Sequence, residues 1–255
     1  MSTDVLDPGA QFVAKWLQRE PEMQLAAVFC PPAELARFRA WGALLHELRE
    51  TLFELSDPRV SSVKTGWWAE EIIGLGQGRQ RHPLSEQLLG IEAPWSALAR
   101  ALLSFDGLES RAADGEQAIA LLQPAAVAIV AVESALFAAR SLDTAARSLA
   151  VHWLLQRLPH GLGSDDQARL PMHLLARHGL GTGQLTTARV QPLLHDWAAE
   201  LLAMLPAPAP GGALIRRSRW RFDRARLQRL AAGQGFGEPP ALATLWRAWR
   251  AARGR

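Results

Sequence analysis

Apolar side chains recur at helical spacing along nearly the whole chain. Between Ala33 and Leu55 the positions Leu35, Phe38, Trp41, Leu45, Leu48, Leu52 and Leu55 fall three, four or seven apart, which lines one face of a helix. Pro31-Pro32 opens that helix and Asp57-Pro58 closes it. A second helix is expected over 63–75, ended by Gly74, Gly76 and Gly78, with shorter helical stretches at 84–89 and 95–105. The segment 117–140 is small and apolar throughout. Its length would allow a bilayer span, but Gln123, Pro124, Glu133 and its many alanines fit a helix buried in an all-α core. Helices over 144–158, 187–205, 222–232 and 240–252 complete the pattern, with Pro159-His160-Gly161 as a stop. No internal repeat and no strand-rich stretch is visible, so the expected architecture is all-α.

One stretch breaks the helical pattern by composition. PAPAPGG, from Pro206 to Gly212, reads as a linker. The expected organisation is therefore a helical domain over 1–205, a linker over 206–213 and a basic helical segment over 214–255. Charge follows the same division. The segment from Arg216 to Arg255 holds eleven arginines against Asp223 and Glu238, a charge of +9, which leaves −6 on the rest of a chain whose net charge is +3. A basic end on an acidic body suggests either an anionic partner or docking of that end on the body.

At 255 residues, 49% hydrophobic and 21% charged, the chain has the composition of an ordinary globular protein and is long enough to bury a core. The single Cys30 excludes a disulfide framework and a cysteine-based zinc site. The opening MSTDVLDPGA is acidic and polar where a secretory signal would be basic and then apolar, so a cytoplasmic protein is expected. Arginine outnumbers lysine 26 to two, and ten tryptophans stand beside no tyrosine.

Few residues propose chemistry on their own. The seven histidines form no HExxH, no GxSxG elbow is present, and the glycines of GLGQGRQ follow a helix where a phosphate loop would follow a strand. The best pair of carboxylates is Glu50 and Glu54, four apart on the 33–55 helix, with Glu47 beside them. Such a face either grips Mg²⁺, a hard cation that takes oxygen ligands and shares them with substrate phosphates, or is a solvated acidic stripe.

Three blocks in order resemble the squalene/phytoene synthase family. The first is LAAVFCPP (25–32) with Arg37, the ALLHE run at 43–47, Glu50 and Glu54. The second is KTGWWAEE (64–71) followed by RHPL (81–84) and Leu88. The third runs from ARSL (146–149) through Gly161 to ARLPM (168–172) and LLARHGL (174–180). Together they cover residues 20–205. The resemblance implies an all-α, isoprenoid-synthase-like helical domain around one central cavity. In that family two aspartate-rich motifs on facing helices hold Mg²⁺, which neutralises the charge developing on a departing diphosphate.

The chain departs from that pattern where the chemistry lies. The first motif becomes Glu50 and Glu54. The second falls on Arg157, His160 and Gly161, so no carboxylate remains there. Arg157, His160 and Arg169 become candidates for direct contact with a diphosphate, because guanidinium suits oxyanions. The loss of aspartates is similar to that in the mitochondrial complex I assembly factors of the same family, as are Glu47-Leu48 and the Pro159-His160-Gly161 turn. Two readings follow from the resemblance. One is a non-catalytic protein that binds a prenyl diphosphate or other lipid-like ligand or serves as an assembly factor. The other is a Mg²⁺-dependent head-to-head prenyl diphosphate transferase using Glu50 and Glu54. In either case Glu50 and Arg157 should face each other across the pocket. The tail motif WRAWR (246–250) suits an anionic membrane surface on the cytoplasmic side, and nucleic acid is the weaker alternative partner.

Overall fold

The computed structural model describes residues 8–105, 111–140, 143–163, 166–185, 189–208, 211–237 and 239–254. Among them the chain forms α-helices and no strand: α1 (Pro8–Arg19), α2 (Glu22–Ala27), α3 (Pro32–Phe53), α4 (Pro58–Gly76), α5 (Trp95–Leu103), α6 (Gly115–Leu136), α7 (Asp143–Gln156), α8 (Leu158–Gly161), α9 (Met172–His178), α10 (Val190–Met204), α11 (Leu214–Ala231) and α12 (Ala241–Arg253). Short 3-10 turns lie at Pro83–Leu88 and Thr182–Gln184. The protein is all-α. Residues 1–7, positions 187–188 of the helix expected over 187–205, positions 209–210 of the linker, and Glu238 and Arg255 of the tail lie outside the described residues.

Local signals explain most element ends. Asp57 caps α4, its carboxylate accepting the Arg59 N–H at 2.8 Å, and Pro58 takes the first helical position, so α4 starts ahead of the expected residue 63. Asp114 caps α6 in the same way through the Gln117 N–H at 2.8 Å. Helices α1, α2, α8 and α9 fall outside the expected set, and α1 matters most. Its Phe12, Val13, Trp16 and Leu17 form an apolar stripe that packs onto α3 and brings Lys15 and Arg19 alongside the acidic face.

Helix α3 is the central strut, buried on nearly every side from Phe38 to Phe53. Trp41 stacks edge-on to Trp95 at 6.5 Å, and Phe53 sits between Phe105 and Trp153, each at 5.5 Å. Gly42 lets α1 close on this strut: a Cβ there would stand 2.2 Å from the ring of the fully buried Trp16. Gly42→Ala is therefore expected to destabilise the protein by about 1–3 kcal/mol through overpacking, read as a lower urea midpoint at unchanged slope.

The basic end is not a detached arm. Helix α11 packs on α10, α7 and α2, and three of its arginines pair with body carboxylates: Arg216 with Glu133, Arg219 with Glu20 and Arg226 with Glu22. Asp223 of the same helix accepts from His152 Nδ1 at 2.9 Å. Helix α11 begins at Leu214, at the expected start of the basic helical segment but ahead of the helix expected over 222–232, and its Arg216 and Arg219 make interior contacts. The Trp220 indole N–H donates to the Pro206 carbonyl at 2.8 Å, which fastens the Pro/Ala stretch to the helix it introduces. Among the described residues only α6 is long and apolar enough to cross a membrane, and 56% of its apolar window is buried inside the molecule.

Candidate functional site

The acidic face of α3 is occupied by cations of the chain itself. Lys15 donates to Glu47 at 2.8 Å and also to Glu50, and Lys64 of α4 lies 3.5 Å from the other Glu47 oxygen. Glu54 meets Arg19 at 3.3 Å and Arg49 at 3.2 Å. Burial works against the Lys15 charge, but the two carboxylates outweigh it and hold the ammonium protonated above its ordinary range. His46 is also part of this group. Burial, reinforced by the Arg49 charge, pushes its imidazole down to about 4, so it is neutral at physiological pH.

This face does not fit Mg²⁺. His46, Glu47 and Glu50 do bring three ligand atoms within 4.8 Å of one another. The Lys15 ammonium, however, sits between the two carboxylates where a cation would bind. His46 Nδ1 accepts from Arg49 at 3.1 Å, which in a neutral imidazole leaves the proton on Nε2, facing Glu50 at 3.6 Å. A protonated ring nitrogen cannot ligate, and Mg²⁺ in any case demands an oxygen shell. Glu50 and Glu54 are thus ion-pair partners of α1 and of Arg49.

Arg157 and Arg169 occupy a different place. A cavity of about 690 Å³ opens where the end of α3, the start of α4 and the end of α5 meet the loop at 166–169. Leu52, Phe53, Leu55, Leu102, Leu103 and Phe105 form its apolar wall; Ser61, Ser62 and Thr65 line the α4 side. Glu50 and Glu54 do not line it, which corrects the expectation that Glu50 and Arg157 face each other across one pocket. His160 departs as well: it lines a second cavity of about 410 Å³ with Arg19 and Pro159.

The charge balance of the first cavity is lopsided. The Arg157 guanidinium lies over the Phe53 ring at 5.0 Å, and its Nε donates to the Gln167 carbonyl at 2.9 Å. Burial first, then the neighbouring Arg169 and Arg111, lower its pKa to about 9. Arg111 is paired with Asp166. Arg169 has no carboxylate partner among the described residues. Among the described residues of the lining, Asp166 is the one carboxylate beside Arg157 and Arg169.

The loop that carries Arg169 is held in an unusual shape. Asp166 and Arg169 both adopt left-handed backbone angles, φ of 47° and 50°, at a cost on the order of 1–3 kcal/mol each. Gly161 permits the close approach this loop needs, because a Cβ there would stand 2.5 Å from the Ala168 nitrogen, which instead donates to the Gly161 carbonyl at 2.9 Å. The Pro159-His160-Gly161 turn thus shapes the cavity through its glycine. The segments at 64–71 and 81–84 form a structural clasp: Glu71 accepts the Arg81 and His82 backbone N–H groups, and His82 packs among Phe12, Trp67 and Trp68.

Comparison with protein-family models, with curated proteins and with solved structures returns no match.

Proposed function

We propose that this chain is a non-catalytic, squalene/phytoene synthase-like protein that binds an amphiphilic anion, a prenyl diphosphate or another lipid-like ligand, in the cavity of about 690 Å³. The observation that carries the reading is the pairing, within one cavity, of a leucine and phenylalanine wall with the Arg157 and Arg169 guanidiniums, neither of which has a carboxylate partner among the described residues. An apolar tail gains by leaving water along Leu52, Phe53, Leu102 and Phe105. An anionic head gains from guanidinium donors in a partly desolvated mouth. The all-α architecture and the order of the three sequence blocks support an isoprenoid-synthase-like fold. The neutralised face around Glu50 and Glu54 supports binding without turnover: ionising an allylic diphosphate needs cations opposite the leaving group, and the carboxylates that would hold them are engaged by Lys15, Arg19 and Arg49.

The test uses farnesyl diphosphate as probe. Titration calorimetry without metal is expected to show saturable binding, and incubation with Mg²⁺ to release no pyrophosphate. Arg169→Asn keeps a residue that tolerates the left-handed backbone and removes the free cation, so it should weaken binding roughly tenfold or more with unchanged thermal stability. Pyrophosphate release would establish the transferase reading instead. Wild-type affinity in Arg169→Asn would remove the cavity from the argument.

A further inference from the structure

Helix α12 presents two faces of opposite character. Thr244, Ala248 and Ala251 are buried against α2 and α11. On the opposite side Leu242, Leu245, Trp246 and Trp249 follow the three-and-four spacing of a helical stripe and remain exposed, Leu242 at 82% and Trp246 at 54%. An apolar stripe on an otherwise arginine-rich surface is costly to leave in water and marks a contact.

The flanks of the stripe identify the chemistry of that contact. The Arg250 guanidinium lies over Trp246 at 5.0 Å, and that of Arg253 over Trp249 at 4.3 Å. On the neighbouring turns of α11, Arg221 and Arg224 stand over Trp220 at 6.0 and 5.4 Å. None of these four arginines has a carboxylate partner among the described residues, in contrast to Arg216, Arg219 and Arg226 of the same basic end. The Arg221 charge is already disfavoured by partial burial and by Arg250 and Arg224 beside it. A surface that gathers four uncompensated cations calls for a multivalent anion. A surface that sets two indoles and two leucines in their midst calls for one with an apolar interior beneath it.

We propose that the exposed face of α12, with Arg221 and Arg224 of α11, is a docking surface for an anionic lipid bilayer. Leu242, Leu245, Trp246 and Trp249 would sit at the level of the headgroups and the first methylenes, and the arginines would contact lipid phosphates. A polyanion without an apolar layer, such as nucleic acid, would use the arginines and leave Leu242 and Trp246 in water, so the stripe favours the bilayer. The inference is independent of the cavity ligand, since none of its residues lines that cavity.

Co-sedimentation of the full chain with vesicles of equimolar phosphatidylcholine and phosphatidylglycerol tests it. The protein is expected to pellet with these vesicles and to remain in solution with pure phosphatidylcholine. Leu242→Ser with Trp246→Ser should lower partitioning by roughly tenfold or more while circular dichroism is unchanged, both side chains being exposed. Arg250→Glu with Arg253→Glu should lower it similarly, and moderate salt should imitate that pair. Absence of vesicle binding, equal binding by the Leu242/Trp246 variant, or a stable dimer in sedimentation equilibrium that the Leu242/Trp246 variant dissociates would overturn the proposal.

Discussion

Glu133→Ala is expected to destabilise the protein by about 3–5 kcal/mol, enough to unfold a large fraction of a marginally stable domain. Glu133 sits inside α6 and is almost wholly buried, with both oxygens engaged. The Arg216 Nε and Nη2 atoms donate to it at 3.2 and 2.7 Å, and the Trp41 indole N–H donates at 3.2 Å. Removing the carboxylate strands a guanidinium that is itself only 3% exposed. The cost comes from that stranded charge more than from the lost attraction. The double variant Glu133→Leu with Arg216→Met, which removes both charges and keeps the volume, should therefore recover most of the loss. Urea unfolding of Glu133→Leu, of Arg216→Met and of the double variant measures the coupling. A double variant as weak as Glu133→Ala would show that the pair itself, and not the orphaned cation, carries the stability.

The same pair shows what can and cannot be read from a sequence. Glu133 is visible as a lone acid in an apolar segment, which argues against a membrane span. Its partner is not visible, because Arg216 lies 83 positions away in a run that resembles a basic tail. The helix of α3 was legible because its large apolar side chains, Phe38, Trp41, Leu45, Leu48 and Leu52, recur at three or four; α1 is shorter, yet Phe12, Val13, Trp16 and Leu17 carry the same signal. Missing α1 has a chemical consequence. Without it Glu47, Glu50 and Glu54 read as an open acidic rim, whereas Lys15 and Arg19 of α1 close that rim with positive charge. The grouping of Arg169 with Arg157 was also beyond reach, since Arg169 lies on a loop whose left-handed residues Asp166 and Arg169 no helical spacing specifies. Spacing identifies neighbours on one helix. It does not say which other helix arrives with the counter-charge.

Acid unfolding is expected to show a single large contribution from Glu20. This carboxyl is 2% exposed at the end of α1 and receives the Arg219 guanidinium as a fork, Nε to one oxygen and Nη2 to the other, each at 3.0 Å. Burial alone would raise its pKa. The charges of Arg219, His152 and Arg49 overcome that and lower it from 4.5 to about 2. A carboxyl depressed in the folded state binds its proton more readily when unfolded, so it stabilises the fold fully above about pH 4.5 and loses that contribution as the pH falls through about 2. A displacement of this size corresponds to about 3 kcal/mol. Glu20→Gln should cost a comparable amount at neutral pH and flatten the acid limb of stability against pH. Arg219→Met should cost at least as much at neutral pH, because it leaves the carboxylate buried beside Trp16 without its fork, and it should abolish the acid-linked loss, since burial then favours the protonated form. Guanidinium unfolding midpoints taken between neutral pH and about pH 2 separate these cases. An acid limb of wild-type steepness in both variants would assign the acid sensitivity to other carboxyls and show the Glu20–Arg219 pair to be electrostatically indifferent.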